Sequence, residues 1–299
     1  MKRPSGTSET QGASQDVWSM EEWARLEERT RERALAAGSE AGAWRVLVGH
    51  ARRVMRAYTT SFFIVSRFLP AAKREEVEAV YAAVRFPDEI VDTFPLSDVE
   101  RGKLLDLWRG DYEVGLESSS IEEALLNDVP CPLAAFTKVV RRRGIPREHY
   151  RAFLDAMRRD TAPRPFDTLD DLIENYIYGS AVVVGYFLTH VYGARDAGSF
   201  RRAFASARDL AVALQLTNFL RDVGEDQMRG RVYIPLDALR SEGIEALDTR
   251  DPRQREPLSR VLRRLAGVAA DFYARAEADL DAFSPDCRLA IRACIRVYG

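Results

Sequence analysis

Four aspartates stand out by their spacing: Asp88 and Asp92 lie four residues apart, and so do Asp222 and Asp226. On a helix, residues at i and i+4 share one face at adjacent turns. At about 100° per residue, Val77, Val80, Tyr81 and Val84 form an apolar stripe, with Asp88 inside it and Asp92 at its edge. Further along, Gln215, Asn218, Asp222 and Asp226 fall within about 80° of one another, beside an apolar stripe of Leu216, Phe219, Leu220 and Val223. Both patterns aim acid toward the interior of a helical assembly. A lone exposed pair of this kind is commonplace, costing only about 0.2–0.5 kcal/mol. Inside a bundle, two carboxylates about 6 Å apart repel by about 3 kcal/mol at an effective dielectric of about 20. Such pairs need cations or must take up protons. The donors on offer are oxygens, with no Cys or His nearby, which favours Mg²⁺ over zinc. Mg²⁺ uses one or two carboxylates and completes its shell with water and phosphate oxygens, so a phosphorylated or diphosphate substrate is the natural third party. Arg85 lies one turn before Asp88, Arg221 abuts Asp222, and Arg229 and Arg231 follow Asp226. Guanidinium groups bind diphosphate oxygens and stabilise a departing diphosphate. Local charge balance is the plainer role, and for Arg229 the two readings stand equal.

The elements that must carry these residues are helical. Strand signals are nearly absent, whereas helical ones recur from end to end. Ser19-Met20-Glu21-Glu22 reads as a capping box opening a helix to about residue 37. A second helix is expected over 43–56, interrupted by Tyr58-Thr59-Thr60-Ser61 before the apolar run 62–69. Pro70 suits the first turn of the helix that leads into Asp88. Further helices are expected at about 97–116, 132–142, 146–159, 168–192, 199–226, 256–283 and 286–297. An all-α bundle of about ten helices follows, forming one domain over 18–299 behind a disordered polar tail over 1–17. Pro87 cannot donate to the Ala83 carbonyl, and it should kink or interrupt its helix.

Composition narrows the partners. The 299 residues carry 44 Lys+Arg against 46 Asp+Glu, a net charge of −2, so there is no overall positive footprint for nucleic acid. Cys131, Cys287 and Cys294, with His50, His149 and His190, form no CxxC or HExxH spacing, and reduced buried thiols are expected. The longest apolar stretch, 181–188, is far short of the roughly 20 residues needed to span a bilayer. A cytoplasmic protein, at most peripheral to membranes, is expected.

At the acidic segments the sequence resembles the squalene/phytoene synthase family of head-to-head prenyl transferases, and its phytoene synthase branch above the others. The likeness covers roughly residues 45–298. It rests on Tyr58-Thr59-Thr60-Ser61-Phe62, on YAAVRFPDEIVD (81–92), on YIYGSAVVVG (176–185), and on QLTNFLRDVGEDQMRGRVYIP (215–235). The last block is a highly specific signal. The resemblance implies an isoprenoid-synthase bundle with a central cavity, and Mg²⁺ (Mn²⁺ the alternative) held with substrate diphosphates by Asp88, Glu89, Asp92, Asn218, Asp222 and Asp226. It implies that Ser61, Arg85, Gln215, Asn218, Arg221 and Arg231 bind the diphosphates. Arg85, Tyr176, Arg221 and Tyr233 would take part in catalysis, with a core role for Tyr233 as a standing alternative and Tyr273 only a loose match. Phe62, Phe63, Phe219 and the valines 182–184 are candidates for the cavity wall.

The implied reaction joins two prenyl diphosphates, geranylgeranyl diphosphate giving phytoene, without NADPH and with peripheral membrane contact for product release. The alternatives are squalene or dehydrosqualene synthesis from farnesyl diphosphate, a terpene cyclase, or a non-catalytic assembly protein on the same fold. Two departures bear on detail. Thr59-Thr60-Ser61-Phe62 stands where relatives often carry Ser-Lys-Ser-Phe, removing one basic contact. Ser180-Ala181-Val182 replaces a common Val-Ala-Gly, so Val182 should add bulk beside the hydrocarbon, whereas Gly179, Ser180 and Ala181 should leave room.

Overall fold

The structure, a computed structural model, describes residues 18–299, and the expected tail over 1–17 lies outside them. Helix α1 (Met20–Leu35) opens with the expected capping box: the Ser19 hydroxyl accepts from the Glu22 N–H, and the Glu22 carboxylate accepts from the Ser19 N–H at 2.8 Å. Helix α2 (Glu40–Tyr58) packs against α1 and ends where Thr59 turns extended. The Thr59 hydroxyl then caps the short α3 (Thr60–Ser66) by accepting from the Phe62 N–H. The polar 58–61 segment is thus a one-residue break between helices.

Helix α4 (Ala71–Asp92) follows directly on Pro70, as the sequence suggested. The expected interruption at Pro87 does not occur, for Pro87 sits inside an unbroken helix. The buried Tyr150 hydroxyl, from another helix, donates to the Ala83 carbonyl at 2.6 Å and so supplies the hydrogen bond that proline removes. Glu78 of α4, fully buried, pairs with Arg52 of α2 and with Arg67 just beyond α3, fastening the three helices together.

The middle of the chain forms α5 (Asp98–Glu117), α6 (Ile121–Leu126), α7 (Cys131–Arg143) and α8 (Arg147–Arg159). Gly144 stops α7 at φ 61°, a left-handed cap that glycine adopts without a Cβ penalty. The expected helix over 168–192 is one continuous helical run in three parts. It comprises α9 (Leu169–Leu172), a wide-turned π segment (Ile173–Val182) and α10 (Val183–Tyr192). Gly179 lies in the π segment, where a Cβ would come within 2.7 Å of both the Ala152 carbonyl oxygen and the Ala156 Cβ on α8. Its smallness therefore serves helix packing and not the cavity.

The long α11 (Phe200–Met228) is followed by α12 (Leu236–Arg240), α13 (Arg255–Ala278) and α14 (Arg288–Tyr298). The short α6 and α12 escaped the sequence reading, being too short to show a helical period. Among the described residues no strand forms, only an isolated bridge between Ala194 and Phe283. The architecture is all-α, with one large apolar core and smaller clusters around Tyr176/Phe219/Tyr233 and around Ile234/Val261. Cys131, Cys287 and Cys294 are buried free thiols.

Candidate active site

A cavity of about 660 Å³ opens between α3, α4, the π segment, α10, α11 and α14. Its polar side is formed by Ser61, Arg85, Asp88, Gln215, Asn218 and Arg221. Its depth is apolar, with Leu188 and Leu210, Leu214 of α11, and Ile291 of α14. Six residues singled out from sequence spacing and motif thus converge on one mouth, three from the neighbouring α3 and α4 and three from α11 far along the chain.

The carboxylates are less deeply placed than their stripes implied. The Asp88, Asp92 and Asp222 side chains are 34%, 27% and 31% exposed, at a rim where water still reaches them. Glu89 is the buried acid of the first motif. Arginine neutralises each of the three rim aspartates. Arg85 pairs with Asp88 and also reaches Glu89 at 3.4 Å. Arg221 grips Asp222 with two bonds, at 2.7 and 2.6 Å. Arg231, buried in the loop after α11, crosses to Asp92 and to the Val91 carbonyl on α4. That last pair physically ties the second acidic segment to the first. Asp226 alone has no side-chain partner among the described residues, but its main-chain carbonyl accepts from the Arg231 N–H at 2.8 Å and so sets the turn.

Arg85 is held from several sides. Its guanidinium donates to the Tyr81 hydroxyl at 3.0 Å and lies over the rings of Tyr58 and Tyr81. The Tyr58 hydroxyl in turn accepts from the Trp23 indole N–H at 2.9 Å, and Trp23 packs edge-on against Phe86. Helix α1, which precedes the region of sequence likeness, therefore braces the residues on either side of Arg85.

Burial and crowding raise several acids. Burial lifts Glu89 to about 7, with Arg85 opposing and Asp88 adding, and its Oε2 is buried without a hydrogen-bond partner. Burial and then the Asp222 charge push Asp226 up to about 6, against Arg229 and Arg231. Asp88 is also raised, by burial first and by Asp92, against the pull of Arg85. Among the described residues no three His, Cys, Asp or Glu side chains converge closely enough to hold an ion directly. The set fits a hard cation on other grounds: every donor is oxygen, Glu89 has an unpartnered buried oxygen, and the Asp226 carboxylate is unpaired.

Tyr176 and Tyr233 do not line the cavity. They stack at 5.0 Å, both buried, with Phe219 stacked on Tyr233 at 4.2 Å. Their hydroxyls meet at 3.0 Å, and both reach Asp160, Tyr176 at 2.6 Å and Tyr233 at 3.0 Å. Asp160 was not singled out from the sequence, because it stands at the end of α8, outside any motif. Burial pushes it up to about 6. A protonated Asp160 gives each of the three contacts its own hydrogen, whereas a carboxylate leaves two hydrogens for three contacts. Tyr273 is likewise away from the cavity, hydrogen-bonded to Thr217 at 3.1 Å.

The expected wall residues divide. Phe62 and Val184 line the cavity, as do Ser180 and Ala181. Phe63 lies under the Arg67 guanidinium, Val183 belongs to the main core, and Phe219 and Val182 are packed in the cluster around Tyr176. Val182 is therefore turned away from the hydrocarbon space it was expected to narrow. The wide turns of the π segment change which residues share a face, and a 3.6-residue period cannot anticipate that. Tyr58 and Tyr81, not proposed from sequence as site residues, do line the cavity.

The squalene/phytoene synthase family model matches residues 55–299. The phytoene synthase of Rhodobacter capsulatus is 32% identical over 249 residues, 83% of this chain and 70% of the relative. The presqualene diphosphate synthase of Zymomonas mobilis is 34% identical over 225 residues, covering 75% and 72%. Among solved structures, a dehydrosqualene synthase in complex with ligand superposes with a TM-score of 0.72 at 22% identity, covering 87% of this chain and 86% of that one. A squalene synthase from Alicyclobacillus acidocaldarius gives 0.69 at 24% identity, covering 89% and 92%.

Proposed function

The chain belongs to the squalene/phytoene synthase family and is a prenyltransferase acting on prenyl diphosphates, and from that premise we propose that it converts two geranylgeranyl diphosphates to phytoene with Mg²⁺ and without NADPH. The observation that carries this reading is the cavity itself: arginines and oxygen donors at one mouth, an apolar interior behind it. In the proposed assignment Asp88, Glu89, Asp92, Asn218, Asp222 and Asp226 hold the ions, with Mn²⁺ as a substitute. Bound there, a divalent cation would supply Lewis-acid stabilisation of the leaving diphosphate.

The chain's own residues do the rest. Arg85, Arg221 and Arg231 are paired with carboxylates in this structure. An arriving diphosphate offers these guanidiniums a second anionic partner, so arginine pairing passes from acid to substrate and the acids become available to cations. Arg85 and Arg221, on the cavity, then stabilise negative charge as the first diphosphate leaves. Ser61, Gln215 and Asn218 fix the diphosphates by hydrogen bonds. The apolar interior keeps water from the allylic cation while the double bond of the second substrate attacks it. Loss of a proton closes a cyclopropylcarbinyl diphosphate, and a second ionisation, rearrangement and proton loss give the hydrocarbon. Tyr176 and Tyr233 act from behind, through Asp160, as a rigid aromatic backing to α11.

Ser180 and Ala181 are small residues on the cavity wall, which supports the longer substrate. The identity to a presqualene diphosphate synthase supports the second reading, farnesyl diphosphate coupling. The test is diphosphate release from geranylgeranyl diphosphate by the purified protein. Release that needs Mg²⁺, is abolished by chelation and ignores NADPH supports the proposal. Metal-independent release would overturn the metal assignment.

A further inference from the structure

Helices α3 and α14 pack against each other and share one wall of the cavity. Phe62 and Val65 of α3, with Ile291 and Cys294 of α14, face inward. The outer side of the same wall is also apolar: Ile64, Phe68, Leu289 and Val297 are each between 49% and 59% exposed. Elsewhere, exposed large apolar side chains are scattered along the chain and need no explanation, whereas here four lie on α14, on α3 and on the turn that follows α3. Arginine borders this face. Helix α14 carries no acidic residue; its Arg292 is exposed with no partner among the described residues, and Arg288 donates only to the main-chain carbonyls of Phe283 and Asp281, whereas Arg296 pairs with Glu277 and Arg67 with the buried Glu78.

We propose that the outer face of α3 and α14 is the surface by which this protein docks on an anionic lipid bilayer. The charge decides the occupant. A second copy of the chain across a two-fold axis would bring arginine against arginine, but anionic headgroups complement them. A face only one side chain deep suits shallow insertion at the headgroup boundary, and no described helix is long and apolar enough to cross a membrane. The site and its role fit together on the reading of a hydrocarbon product, which rests on the proposed function. Such a product has no aqueous sink, and docking here puts a thin wall of the cavity directly on a lipid phase.

The test needs no substrate, so its outcome is separate from that of the proposed reaction. The full chain is co-sedimented with phosphatidylcholine vesicles, with and without phosphatidylglycerol. Binding at least about tenfold stronger to the anionic vesicles, weakening with salt, is expected. The double variants Ile64→Ser/Phe68→Ser and Leu289→Ser/Val297→Ser should lose that binding while keeping wild-type melting curves. Arg292→Gln should weaken binding to anionic vesicles alone. Undiminished binding by both double variants, or no binding by the wild type above the phosphatidylcholine level, would overturn the proposal. So would a fall in molar mass of the double variants by light scattering, which would assign the face to a second copy.

Discussion

Tyr150 of α8 donates its hydroxyl to the carbonyl of Ala83 on α4, at 2.6 Å, while accepting from the Trp108 indole N–H at 2.8 Å. The Ala83 carbonyl is the acceptor that Pro87 strands, so one buried tyrosine lets a proline-bearing helix run unbroken into Asp88 and Asp92. Tyr150→Phe should therefore cost about 1–3 kcal/mol of stability, the penalty of leaving a buried carbonyl unpaired. Pro87→Ala restores a main-chain N–H at the position that faces this carbonyl. Combined with it, Tyr150→Phe should cost measurably less than in the wild-type background. Additive losses in urea unfolding would show that the tyrosine does not stand in for the missing bond.

Asp88→Asn and Asp222→Asn should each lower turnover by at least about a hundredfold while leaving helical circular dichroism and cooperative melting largely intact. Each removes only the charge of a carboxylate that water still reaches, and Arg85 keeps Glu89 and the Tyr81 hydroxyl as partners, so folding loses little. A substrate analogue with Mg²⁺ should raise the wild-type melting temperature by linkage, and that of the variants far less. Near-normal turnover by both variants at saturating Mg²⁺ would sink the assignment of these acids.

Asp160 gives a pH dependence with a definite sign. Its carboxyl is raised from 3.8 in the unfolded chain to about 6 in the fold, chiefly by burial. The folded state thus binds the proton more tightly, and stability attributable to this group falls as pH rises from about 4 through about 6. The loss approaches about 3 kcal/mol at most. Asp160→Asn should flatten the curve of stability against pH over that window. A variant curve parallel to the wild type would mean that Asp160 is not the titrating group.

Gly179 and Leu188 should separate packing from specificity. Gly179→Ala forces a Cβ to 2.7 Å from the Ala152 carbonyl oxygen on α8, and should destabilise by about 1–3 kcal/mol without changing the product. Leu188→Phe instead adds bulk to the cavity wall and should shift the product toward the shorter chain. Melting and hydrocarbon analysis on both variants check the pair. A changed product from Gly179→Ala would contradict the placement of that glycine against α8.

The parts of this molecule that were legible in the sequence share a physical cause. Ser19 and Glu22 announce a capping box because the same residues make it, locally, in any context. Asp88, Gln215 and Asn218, which line the cavity, were visible because helical spacing and motif put each on the acid-bearing face of its own helix. What was hidden depends on contacts across the fold. Nothing near Pro87 in sequence reveals that Tyr150, 67 residues beyond Ala83, supplies the missing hydrogen bond. Asp160 gains its meaning only when α8 meets Tyr176 and Tyr233. Val182 reads as a wall residue because its segment resembles one beside the hydrocarbon pocket in the family, whereas the π segment turns this side chain into the core.

The most direct test of the account is a competition. Equal concentrations of geranylgeranyl and farnesyl diphosphate are given to the purified protein with Mg²⁺, and the extracted hydrocarbon is identified by mass. The account predicts phytoene as the main product, unchanged by NADPH. A predominantly thirty-carbon product would contradict the substrate assignment, and diphosphate release with no coupled hydrocarbon from either substrate would contradict head-to-head condensation itself.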